Sequence, residues 1–241
     1  MPTTPRTAYA HFCMLAKALE RLGDRWALLV VRDLLTGPKR FTDLMDRLGG
    51  ITPRTLTQRL RDLEADGLVQ VDREPGRREV WYRLTPAGLD LAPALDELAL
   101  WGLRHLAAPP APSEPAHPEH LLRSVRLVLD RAGIDVGPAT WVVRTLDRDD
   151  AFTLRGRDGR WSLVAQAASD PDVELLGTRR DLALYLATRP QARAAGHPGV
   201  TMRGDEREIG RFLDALAVFP PLSTGPASHA TAGQQTGGLV D

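Results

Sequence analysis

The chain has 241 residues with 31 basic and 31 acidic side chains, so no global positive field draws it without selectivity to nucleic acid or any other anionic surface. Its length suits about two domains of ordinary size, each able to bury its own core. One cysteine excludes an intrachain disulfide, no stretch approaches the roughly 18 uninterrupted apolar residues of a membrane span, and no apolar signal-peptide core opens the chain; a cytoplasmic protein without membrane insertion is expected.

Residues 13–22 and 26–35 read as two helices separated by Gly23-Asp24. Phe41, Leu44, Met45 and Leu48 then recur at helical spacing until Gly49-Gly50 breaks the pattern. A new helix opens at Thr52, a good N-cap, with Pro53 at the first helical position, where its missing N–H costs nothing. Leu56, Leu60 and Leu63 give that helix one apolar stripe, and the opposite face carries Arg54, Gln58 and Arg61, flanked by Thr55, Thr57 and Asp62. Arginine and glutamine suit a base-reading face because each can make two parallel hydrogen bonds to a base edge. Taken alone, the same residues also describe an ordinary solvated face. The order helix, turn, helix is what a helix-turn-helix requires.

Gly67 ends the helix and the period changes to two, with Val69 and Val71 on one arm and Val80, Tyr82 and Leu84 on the other. Glu74-Pro75-Gly76-Arg77-Arg78 lies between them. A hairpin beside a recognition helix is a wing, and Arg77 and Arg78 at its tip can reach phosphate or an adjacent minor groove. Residues 1–106 hold 16 basic and 14 acidic groups, so any DNA affinity must come from a local arginine patch.

Residues 86–106 form a long helical pattern, with Leu91, Leu95, Leu98 and Gly102 as one stripe and Leu89, Leu100, Trp101 and Leu103 widening it. Such an apolar helix in a small domain is expected to find a partner, either in its own domain or in a second copy. Residues 107–118 read as a proline-rich linker and mark a domain boundary. The H-x-x-H pair His117 and His120 lacks further ligands nearby and does not read as a metal site.

Beyond the linker Leu121, Val125, Val128 and Ala132 make a helical stripe, and residues 140–146, 151–156, 160–168 and 172–177 read as four short strands. Helices over 178–188 and 205–219 flank a short strand at 200–203, and residues 220–241 read as a disordered tail. Strands followed by helices predict an α+β fold with the sheet covered on one face.

Cys13 with Ala18-Leu19-Glu20, Gly23-Asp24-Arg25-Trp26, Arg32-Asp33-Leu34-Leu35, Gly37-Pro38-Lys39-Arg40-Phe41, Leu56-Thr57-Gln58-Arg59-Leu60, Asp66-Gly67-Leu68-Val69 and Tyr82-Arg83-Leu84-Thr85-Pro86-Ala87-Gly88 resemble the HxlR-type, MarR-like winged helix-turn-helix regulators over about residues 13–102. The resemblance implies a homodimer, joined through the first helix and the helix at 86–106, that binds an inverted repeat in double-stranded DNA. It implies base or nearby phosphate contacts for Arg54, Thr55, Thr57, Gln58 and Arg61, wing positions for Arg77 and Arg78, and recognition helices about 34 to 36 Å apart. It also matches Cys13 to a redox-sensing cysteine, with Lys17 one helical turn on to favour a thiolate; a buried structural cysteine is the alternative.

Asp170-Pro171-Asp172-Val173, Gly177, Asp181-Leu182, Leu186, Ala195-Gly196, Val200, Gly204-Asp205 and Phe212-Leu213 resemble the sterol-carrier-protein-like fold over about residues 119–219, with a departure at His197-Pro198. That resemblance implies a pocket for an apolar small-molecule effector, for which Trp141, Phe152, Trp161, Leu163, Leu184, Tyr185, Phe212 and Leu216 are the candidate lining residues; simple core packing is their alternative. No G-x-S-x-G elbow, P-loop or H-E-x-x-H is present, so neither an enzyme nor a cofactor is expected. A redox regulator acting through Cys13, with a structural or partner-docking C-terminal half, is the alternative to a ligand-controlled one.

Overall fold

A computed structural model describes residues 8–73, 79–106, 111, 114–187 and 196–218. Two separate hydrophobic cores organise them. Around the first lie α1 (Met14–Leu22), α2 (Ala27–Leu34), β1 (Lys39–Arg40), α3 (Phe41–Leu48), α4 (Pro53–Ala65), β2 (Val69–Arg73), β3 (Val80–Leu84), α5 (Pro86–Leu89) and α6 (Ala92–His105). Helix α2 reads ALLVVRDL, apolar on nearly every side, and Ala27, Val30, Val31 and Leu34 are buried among α3, α4 and the sheet. The sheet runs β1-β3-β2, antiparallel throughout, with Val69 opposite Leu84 and Val71 opposite Tyr82.

The single helix expected over 86–106 is two helices. Pro93 lies in the first turn of α6; its ring has no N–H to offer the carbonyl of Leu89 and crowds that carbonyl, so the chain breaks at Asp90-Leu91 and starts again. Leu91 and Leu95 pack on the first core, Leu100 is buried, and Leu103 packs on the second core. Leu98 and Trp101, read as part of the same apolar surface, are half exposed.

The second core is built from α7 (Pro118–Arg131), β4 (Ala139–Thr145), β5 (Ala151–Arg157), β6 (Arg160–Val164), β7 (Val173–Gly177), α8 (Arg179–Ala187), β8 (Val200–Gly204) and α9 (Glu206–Leu216). The strand order is β6-β5-β4-β7-β8, with β4 and β7 parallel and the other pairs antiparallel. Trp141, Val143, Phe152, Leu154, Trp161, Val173 and Leu175 share one face and meet α7, α8 and α9, the one-sided helical cover expected of an α+β unit.

Asp158 and Gly159, both at positive φ, make the tight turn between β5 and β6. Strand β6 ends at Val164 and does not run to residue 168, because the chain leaves the sheet edge to cross the other face. There the Thr153 hydroxyl donates to the Gln166 carbonyl and accepts from the Ala168 amide, and Val142 and Thr153 are buried. The segment read as linker also ends early: α7 begins at Pro118, and His117 and Pro118 are buried. The expected tail, 220–241, lies outside the described residues.

Candidate nucleic-acid interface

Helix α4 starts as its sequence demands. The Thr52 hydroxyl accepts from the Thr55 amide and Pro53 occupies the first turn. Gly49 and Gly50, at φ +49° and +72°, reverse the chain between α3 and α4 in a region that residues with a Cβ rarely enter. Leu56, Leu60 and Leu63 are buried in the first core, which fixes the rotation of α4 and turns the opposite face outward. On it Arg54 and Arg61 are exposed and Thr55, Thr57 and Gln58 half buried. Neither Arg54 nor Arg61 forms an ion pair among the described residues. Thr57 donates to the Pro53 carbonyl, and the Gln58 amide donates to Asp62 at 2.9 Å. Arg59, the third arginine of this stretch, is tied to Asp24 and Asp62.

On the wing arms Arg83 pairs with Asp72, and Arg40 pairs with Asp43 and Glu79 while its guanidinium lies 5.4 Å from the centre of the Trp81 ring. Arg77 and Arg78 lie outside the described residues. Strand β1, only two residues long, had no period to betray it.

The seam between the two cores has no local signature in the sequence. Asp33 on α2 is fully buried and is met by Arg32, by Arg47 of α3 and by His120 of α7. Arg47 also reaches Glu119 of α7. Burial alone would raise both carboxyls; for Asp33 the His120 hydrogen bond and two guanidiniums outweigh it, for Glu119 chiefly Arg47, and both lie below their usual values. One residue back, Asp46 of α3 pairs with Arg148 and Arg179, and Arg179 also holds Asp147. Adjacent residues of the first helix of the helix-turn-helix are thus tied to two parts of the C-terminal unit. These partners are far apart in sequence and each resembles an ordinary solvated charge.

Trp141, Phe152, Trp161, Tyr185, Phe212 and Leu216 are buried in the second core; Leu163 and Leu184 are half buried. The rings close on one another, Trp141 at 4.6 Å from Trp161 and 5.0 Å from Phe212. An open depression of about 640 Å³ at the end of β4, β5 and β6 touches only Trp161 of the eight; Arg155, Arg157, Asp158 and Arg160 are among the residues that rim it. Cys13 is exposed, not buried, and caps the start of α1; Lys17 turns its ammonium to Glu20 at 3.3 Å. Among the described residues no helix is long and apolar enough to cross a membrane, and no group of three or more His, Cys, Asp and Glu is arranged to hold a metal ion.

A buried-stripe helix after a two-glycine turn, followed by an antiparallel hairpin, defines the N-terminal unit as a winged helix-turn-helix. Residues 21–109 match the family model described as HxlR-like helix-turn-helix. An HTH-type transcriptional regulator of Mycobacterium bovis is 43% identical over 101 residues, 41% of this chain and 62% of its own length. The HTH-type transcriptional regulator YvaP of Bacillus subtilis is 38% identical over 86 residues, 35% of this chain and 80% of its own length. The solved structure of the redox regulator HypR in its oxidized form is 31% identical, with a TM-score of 0.38, and is matched over 40% of this chain and 100% of its own. The chain belongs to the HxlR-like helix-turn-helix family.

Proposed function

We propose that the protein is a homodimeric, sequence-specific regulator that reads an inverted repeat. Arg54, Thr55, Thr57, Gln58 and Arg61 meet bases or adjacent phosphates in the major groove, and Arg77 and Arg78 meet the backbone from the wing. The observation that carries this reading is the outward face of α4, where two arginines without acidic partners among the described residues project from a helix whose rotation the leucine core fixes. The second copy covers Phe12, Met14 and Leu15 of the first helical segment and Leu98 and Trp101 of α6, large apolar side chains left exposed in one chain. In this organisation residues 1–106 bind DNA and dimerise, and residues 119–219 form a sterol-carrier-protein-like control unit. Selection from a randomised DNA pool at two salt concentrations tests it. An enriched inverted repeat is expected; retention without sequence preference, lost at higher salt, overturns it.

Control by an apolar effector in the C-terminal unit draws support from the strand order and the one-sided helical cover. The indole Nε1 of Trp141, buried in that core without a hydrogen-bond partner among the described residues, gives an entering ligand one polar contact. Because the rings around it are in contact, such a ligand must part them. The reading fails if no apolar compound changes DNA affinity. The exposure of Cys13 favours a second reading, oxidant control through a disulfide to another subunit or an external thiol; Cys13→Ser with an unchanged oxidant response removes it.

A further inference from the structure

Strands β5 and β6 carry three arginines on the face of the second sheet that turns away from its core. In the register Arg157 stands opposite Arg160, and Arg155 stands between Ser162 and Thr140 on its two neighbours. Trp141, Leu154 and Trp161, one position off in each strand, are buried, so the period of two turns these five side chains to the other face. All five line the open depression of about 640 Å³ at the end of the sheet.

Like charges directly opposite one another on antiparallel strands are destabilising. Among the described residues Arg155, Arg157 and Arg160 form no ion pair, and Asp158 is the one acid that lines the depression. Elsewhere on the same face the charge is balanced: Arg144 and Arg203 converge on Glu174, at 3.1 and 3.5 Å. Asp135 and Asp172 do not line the depression; each accepts from a backbone amide, that of Gly137 and that of Thr140, and neither pairs with a guanidinium among the described residues. The hydroxyls of Thr140 and Ser162 have no hydrogen-bond partner among the described residues.

The lining thus holds three guanidiniums, two hydroxyls and one carboxylate, a formal balance of two positive charges with hydrogen-bond donors in excess. A phosphate monoester, with a charge of about −1.5 to −2 near pH 7 and three acceptor oxygens, is the complement; a carboxylate brings a single charge. Small-molecule pockets span roughly 300 to 1,000 Å³, so the depression has room for more than the phosphate itself. Thr140 lies at the start of β4, whereas Arg148, which pairs with Asp46 of α3, follows its end, about 17 Å further along the strand. The depression therefore opens at the end of the sheet away from that contact with the helix-turn-helix, which favours a free ligand over a duplex held by α4. We propose that this face binds a phosphate group, free or on a small ester, held by Arg155, Arg157 and Arg160 and by the hydroxyls of Thr140 and Ser162. Binding there does not rest on the regulator reading.

The test is titration of the full chain with inorganic phosphate and with glycerol 3-phosphate, followed by calorimetry and ³¹P NMR at constant ionic strength. Acetate and glycerol serve as controls, and a duplex oligonucleotide of random sequence is titrated in parallel. Saturable binding of at least one phosphate compound is expected. It should weaken roughly tenfold in Arg157→Gln and in Arg160→Gln, and stay unchanged in Arg207→Gln, which alters an exposed arginine of α9 outside the depression. Tighter binding of glycerol 3-phosphate identifies an ester as the ligand, and equal affinities identify free phosphate. The bound compound should also raise the melting temperature of the wild type, and raise it less in the two hairpin variants, a comparison that holds whatever a substitution does to basal stability. No saturable binding of either compound, or affinity indifferent to both arginines, overturns the proposal. So does duplex DNA whose affinity falls in both variants while neither phosphate compound binds, because the face then belongs to nucleic acid.

Discussion

His120, in the first turn of α7, hydrogen-bonds the fully buried carboxylate of Asp33 on α2 at 2.8 Å. The bond joins an element of one core to an element of the other, and it depends on protonation at both ends. Asp33 is held below the usual carboxylate range, so its contribution to stability is complete above its unfolded value of about 3.9 and is lost as pH falls below that.

The histidines act at higher pH. Burial lowers both His117, to about 4, and His120, so each stays neutral in the fold at a pH where the unfolded chain, with values of about 6.5, takes up a proton. Stability should therefore be level above about pH 7, decline between about 6.5 and 4, and fall more steeply below. Thermal melts by circular dichroism from pH 8 to 3 check this, and His117→Gln should flatten the first decline. A constant melting temperature between pH 7 and 4.5 would contradict it.

Arg47 and Glu119 form a largely buried pair across the seam. Removing the cation alone leaves Glu119 and Asp33 undercompensated, so Arg47→Met should cost about 3 to 5 kcal/mol in urea unfolding. The double variant Arg47→Met, Glu119→Gln should recover part of that loss, with a coupling energy of about 0.5 to 3 kcal/mol. Strict additivity of the two single effects would show that the pair does not join the units.

The three arginines of α4 should separate by role. Arg54→Ala or Arg61→Ala should weaken binding to selected DNA by about 1 to 3 kcal/mol and relax preference at one base where the contact is to a base, or reduce the salt slope by about one where it is to phosphate. Arg59→Ala should leave DNA affinity nearly unchanged and lower stability, since Arg59 is spent on Asp24 and Asp62. Fluorescence anisotropy at several salt concentrations distinguishes them, and an Arg59 variant with the largest binding defect would reverse the assignment.

Trp101 is 50% exposed and Leu15 67%. A glutamate at either place should turn a dimer into a monomer in sedimentation velocity at micromolar concentration, with far-ultraviolet dichroism unchanged, and should weaken binding to a two-fold site more than to a half-site. A wild-type monomer under the same conditions would exclude this interface.

Local chemistry made parts of the fold readable. Thr52 and Pro53 announced α4, the leucines fixed its buried side, and the alternation from Val69 to Leu84 marked the hairpin. What escaped notice lacks local signature. The break at Asp90-Leu91 needed Pro93 to be weighed against an unbroken apolar pattern. The end of β6 at Val164 follows from a crossover that only the parallel β4 and β7 pairing requires. His117 and His120 read only as an H-x-x-H pair beside a proline-rich linker because the acids they meet are on other elements, Asp33 being 87 residues from His120.

That last separation bears on how the chain is made. Helices α2 and α3 leave the ribosome well before α7, carrying Asp33 and Arg47 toward a core whose remaining partners have not been synthesised. A nascent or truncated head then has a buried carboxylate lacking its histidine and a guanidinium lacking Glu119, and it is expected to mature late and to fray at α3. Cutting the chain at the apparent boundary therefore leaves the winged helix-turn-helix without the α7 partners of Asp33 and Arg47.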